Sequence, residues 1–127
     1  MKNYKRLLAI IFIGVLCLSG CGKINSEGVW VEEKQVLSDG SLMKADDIPC
    51  TETFVISENK ASDTIHFKDG SLKDITITYD MEKTGDNEYV LKVGSLELTT
   101  VTFEKNAMYF RIQEENGAYT DFYFKRQ

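Results

Sequence analysis

A thiol and an imidazole can form a nucleophile and its base, and this sequence offers Cys50 and His66. Such a pair works only in hydrogen-bond contact, with a third group orienting the base. His66 alternates with Ile65 and Phe67, which places it on the polar side of a strand. Nothing in the spacing brings Cys50 to it. A tetrahedral zinc site needs several nitrogen or sulfur ligands, and His66 has no second histidine beside it. Asp46-Asp47 and Glu114-Glu115 are adjacent carboxylates, not the spaced oxygen ligands of a calcium loop, so they read as solvated surface. No glycine-rich loop precedes a helix to hold phosphate. The sequence therefore predicts no catalytic residue, no metal, no cofactor and no enzyme.

The N-terminus carries a different chemistry. Lys2, Lys5 and Arg6 precede an unbroken apolar or small run from Leu7 to Leu18. As a helix that run is about 18 Å long, too short for a hydrocarbon core of roughly 30 Å. A basic flank and a short apolar stretch read as a secretory signal. The segment Leu18-Ser19-Gly20-Cys21 resembles the lipobox of bacterial lipoproteins. The resemblance implies a diacylglyceryl group on the Cys21 thiol and cleavage between Gly20 and Cys21. It also implies frequent acylation of the new amino group. One acyl chain holds a protein to a membrane only marginally, and two hold it stably. The expected organisation is a signal peptide over 1–20, a lipidated tether over 21–27 and one domain over 28–127. The expected address is the outer face of the cell membrane, in the Gram-positive style. The extended tether would reach about 20 Å.

Charge narrows the partners. The leader holds three of the 15 basic residues and none of the 20 acidic ones, which leaves 12 against 20, or −8, from Cys21 onward. Such a balance disfavours nucleic acid and anionic lipid surfaces. The membrane contact is then the lipid on Cys21. With Cys17 in the leader and Cys21 lipidated, Cys50 has no cysteine to pair with. It is expected to behave as a small buried hydrophobe.

The elements that must position these groups are strands. Ile75, Ile77, Tyr79 and Met81 alternate with Asp74, Thr76, Thr78 and Asp80, a period of two. Similar alternation predicts strands near 29–36, 52–57, 63–68, 72–81, 88–93, 96–103, 107–113 and 118–125. A phase change from Leu96 and Leu98 to Val101 and Phe103 predicts a β-bulge near Thr99-Thr100. Asp69-Gly70, Gly85-Asp86-Asn87, Gly94-Ser95, Lys105-Asn106 and Asn116-Gly117 supply turns. The gaps are too short for crossover helices, so the sheet is antiparallel. The stretch 37–49 reads as a long loop or as a short helix starting near Ala45. The fold class is all-β, an up-and-down meander of about eight strands whose apolar faces close on themselves.

The domain resembles the lipocalin-like β-barrel proteins. Gly28-Val29-Trp30 is similar to the Gly-x-Trp that opens their first strand, and Asp121-Phe122-Tyr123-Phe124-Lys125-Arg126 to their aromatic last strand. The resemblance implies that Trp30 packs across the closed end of the barrel under an arginine, Arg111 or Arg126. Trp30, Phe54, Phe67, Tyr79, Tyr89, Phe110, Phe122 and Phe124 are expected on inward faces. Tyr109, Tyr119 and Tyr123 take the opposite phase and are candidates for a protein interface; the alternative is ordinary half-buried tyrosines. The expected function is a membrane-anchored, non-catalytic binding module for a protein at the cell surface. Immunity to a secreted toxin and exclusion of a conjugative element are examples from similar lipoproteins. The alternative is a carrier of a small apolar ligand within the barrel.

Overall fold

The computed structural model describes residues 24–127. The expected signal peptide with Gly20, and Cys21, the expected lipidation site, lie outside the described residues. Nine antiparallel strands follow one another: β1 (Gly28–Leu37), β2 (Leu42–Lys44), β3 (Cys50–Ser57), β4 (Lys60–Phe67), β5 (Ile75–Gly85), β6 (Glu88–Val93), β7 (Leu96–Phe103), β8 (Ala107–Gln113) and β9 (Tyr119–Arg126). Each pairs with the next from β3 to β9, and β9 returns to pair with β1. Eight strands thus close into an up-and-down barrel. The short β2 lies on the same edge of β1 as β3: β3 pairs with Gly28–Val31 and β2 with Lys34–Val36. The fold is the closed antiparallel meander that the alternation predicts, and it is consistent with the small lipocalin-like barrel that the resemblance implies.

The stretch 37–49 holds the short β2 and then a short helix starting at Ala45, as one of its two readings had it: a single 3-10 turn, Ala45–Asp47. Ile48, which follows, is buried. The bulge in β7 falls at Leu98, one residue early, because Leu91 faces Thr99 while Lys92 faces Glu97. The strand read as 72–81 runs instead from Ile75 to Gly85, since Leu72 and Lys73 remain in the turn. The β3–β4 turn is Glu58-Asn59, with φ of 53° and 63°. Two left-handed residues in a two-residue hairpin match the twist of the strands. Glutamate is a poor signal for that geometry.

The turns alternate between two ends, and the ends differ. At one end, Trp30, Phe54, Ile56, Ala61, Met81, Leu91, Phe103, Met108 and Phe124 fill the barrel with side chains no more than 6% exposed. Their rings pack edge-on or stacked, with Trp30–Phe103 at 5.4 Å and Phe54–Phe124 at 5.1 Å between centroids. Each fully buried large apolar side chain contributes about 1.5–3 kcal/mol. At the other end the same inward phase is only half-buried, as at Leu37, Ile65, Phe67, Ile112 and Phe122, or exposed, as at Ile75, Ile77 and Val93.

Candidate functional site

Cys50 and His66 do not meet. Cys50 pairs with Phe67 and Thr51 with His66, so the thiol faces inward and the imidazole outward. His66 Nδ1 lies 2.8 Å from Asp74 on the exposed outer surface. Cys50 is half-buried rather than fully buried, because its strand position opens toward the unfilled end.

Trp30 sits at the filled end with no exposure. Its indole Nε1 donates to the Ser26 carbonyl at 2.9 Å. The guanidinium lying over its ring is that of Arg126, 4.2 Å from the ring centroid. Arg111 is elsewhere. Arg126 also donates to the carbonyls of Glu27, at 2.9 Å, and Asn25. The amide of Ile24 donates to Asn87 at 3.1 Å, and Ile24 packs against the core. Residues 24–27, expected as free tether, are therefore docked on the filled end. Only Gly22 and Lys23 separate them from Cys21, a reach of about 10 Å.

The three tyrosines share the outer face of β8 and β9. Tyr109 stacks on Tyr123 with ring centroids 5.6 Å apart. Arg111 lies 3.7 Å from the Tyr119 ring and grips both carboxylate oxygens of Asp121, at 2.7 and 3.1 Å. That contact raises the Arg111 pKa further. Lys34 stands 5.0 Å over Tyr123. A cleft of about 340 Å³ beside this face is lined by Thr100, Thr102, Tyr109, Arg111, Asp121 and Tyr123. The side chains hold one another in place, and tyrosine and arginine are types enriched at protein interfaces.

The interior holds a group that sequence reasoning missed. Glu32, Glu52 and Asp63 come from β1, β3 and β4 and face inward, where the filled half meets the open half. Glu32 and Asp63 are 4% and 5% exposed. Gln35 donates to Glu32 at 2.8 Å. Burial pushes the Glu32 carboxyl up, and it pushes Glu52 up to about 9, helped by the hydrogen bond and charge of Asp63. Asp63 is raised by burial as well. A low-dielectric site disfavours two neighbouring charges, so Glu52 and Asp63 share a proton at neutral pH. Asp63 Oδ1 is left without a hydrogen-bond partner. Among the described residues no group of acids, cysteines or histidines is placed to hold a metal. The signal was present in the alternation: Glu52 is two residues before Phe54, and Asp63 two before Ile65, on the apolar phase.

No family model matches the chain, and no curated protein matches it.

Proposed function

We propose that this chain is a non-catalytic binding module, held by lipid on Cys21 at the outer face of the cell membrane, whose ligand is a protein at the cell surface. The observation that supports this reading best is the pre-arranged Tyr109–Tyr123 stack, with Arg111 locked between Tyr119 and Asp121. Rigid tyrosines lose little side-chain entropy on binding, and a fixed guanidinium offers a directed donor. The docking of residues 24–27 supports it too, since the barrel then sits close to the anchor and meets partners at the surface. The test is capture of membrane proteins by the lipidated protein under mild cross-linking. Tyr109→Ser with Tyr123→Ser should abolish capture of a specific partner while leaving the fold intact. Capture unchanged by both substitutions would sink the interface. Cys21→Ala should abolish fatty-acid labelling; a labelled variant would remove the anchor from the proposal.

A second reading, a carrier of a small apolar ligand, is favoured by the half-exposed inward residues Ile65, Phe67, Ile112 and Phe122. The filled half of the barrel leaves such a ligand only the shallow end. Saturable displacement of a fluorescent fatty acid would support it, and no displacement would end it.

A further inference from the structure

The barrel is not equally paired all the way round. One edge of β5 is paired with β4 from Ile75 to Asp80. The other edge is paired with β6 only from Asp80 onward. The β6–β7 turn at Gly94-Ser95 stops short of the rest. Among the described residues, Ile75–Tyr79 therefore has no strand on its second edge. Across the turn the seam continues, since β7 pairs with β8 only from Val101 to Phe103. Exposed edges attract other strands, and proteins commonly guard them with charge or proline. Ile75-Thr76-Ile77-Thr78-Tyr79 has neither. The flanking Asp74 and Asp80 are already engaged with His66 and Lys60.

The same corner collects the exposed apolar side chains. Among the described residues, Leu72, Ile75, Ile77, Val93, Leu96 and Leu98 are six of the eight large apolar residues left exposed, between 39% and 71%. Exposed apolar residues gathered on neighbouring turns and strand ends suit a docking surface. Beneath it lies Asp63, which sits directly across from Ile77 in the β4–β5 register. Its Oδ1 is buried and unpartnered.

We propose that an extended segment of a partner protein adds as a strand along the free edge of β5, with an inward lysine or arginine reaching over Ile77 to Asp63. The proposal rests on the protein-binding reading but not on the tyrosine face. An added strand supplies the backbone donors and acceptors that an open edge lacks, which a lipid chain does not. Its inward side chain opposite Ile77 starts about 10 Å from Asp63, two strand spacings. A long basic side chain can lay its apolar stem on Ile77 and bring its charge to the carboxylates. A net acidic domain favours such a partner. A second copy fits poorly: antiparallel pairing centred on Ile77 sets Asp74 against Asp80 at both ends, and offers Asp63 only isoleucine. The membrane fits poorly too, because Ile24 enters at the opposite, filled end.

The test uses the lipidated protein in nanodiscs and three synthetic probes. The first is the capped heptapeptide Thr-Val-Thr-Lys-Thr-Val-Thr, the second carries glutamate for lysine, and the third has alternate backbone nitrogens methylated. The lysine peptide should bind saturably and protect Ile75–Tyr79 from hydrogen exchange. The glutamate peptide should bind about tenfold more weakly or worse, and the methylated peptide should not bind. Glu52→Gln with Asp63→Asn should erase the preference for lysine. No saturable binding up to about 1 mM would overturn the proposal. So would equal affinity of the lysine and glutamate peptides, or protection elsewhere in the barrel. Protection of the same edge without peptide, concentration-dependent or lost on removing the bilayer, would assign it to a second copy or to the membrane instead.

Discussion

The two ends of the barrel are built from the same alternation and do different things. At the filled end, inward residues are large and meet others across the barrel. Trp30, Phe54, Phe103 and Phe124 leave almost no surface to water. Arg126 then seals the end from above, over Trp30. At the open end, inward residues are equally apolar but have no layer to pack against. Ile75 and Ile77 remain 45% and 39% exposed. The difference shows that an apolar phase becomes core only where strands on all sides extend far enough to enclose it. The filled end holds the domain together and carries the docked residues 24–27. The open end keeps apolar surface and an unpaired edge available.

Truncation should separate the ends most clearly. Trp30→Ala is expected to cost about 3–5 kcal/mol, because it removes a fully buried ring and leaves a cavity. Ile75→Ala should cost less than about 1 kcal/mol, because its side chain is already half in water. Urea unfolding of both variants checks this. Equal losses would mean that the open end is closed in solution. Arg126→Met comes next, at about 1–3 kcal/mol, through loss of the contact with Trp30 and of the bonds to Asn25 and Glu27. The part due to the ring contact should vanish in a Trp30→Ala background, while the part due to the carbonyl bonds remains, which a double-mutant cycle measures.

A further difference lies in the acids between the two ends. Glu52 holds its proton in the fold up to about pH 9, against an ordinary value of 4.5. The folded state therefore binds more protons than the unfolded state across that range. Stability is highest below about pH 4.5 as far as this group is concerned, and it declines as pH rises toward 9. The melting temperature should fall by more than about 10 °C between pH 5 and pH 8. Glu52→Gln should flatten that slope. A slope of the same size in the variant would mean that other groups set it.

Much of the architecture was legible. The period of two at Ile75–Met81 and the turn residues at Asp69-Gly70 and Gly94-Ser95 mark hairpins locally. Arg126 was one of two candidates over Trp30, and sequence distance has no bearing on which one reaches it. Tyr109, Tyr119 and Tyr123 were assigned the outer phase, but their stacking on one another and on Arg111 depends on the β8–β9 register. Glu52 and Asp63 stand at the starts of the strands read over 52–57 and 63–68, where the alternation is read only from Phe54 and Ile65 onward. Continuing the phase of Phe54 or Ile65 by one step would have found Glu52 and Asp63.

The sequence alone determined the all-β class, the antiparallel order and the apolar face of each strand, because alternation and turn chemistry act over a few residues. Only the tertiary structure decided which inward residues are enclosed, which edge of β5 is left without a strand, and that three carboxyls from separate strands meet beneath it. Those features depend on where strands end relative to neighbours across the barrel, a long-range stagger that no local pattern encodes.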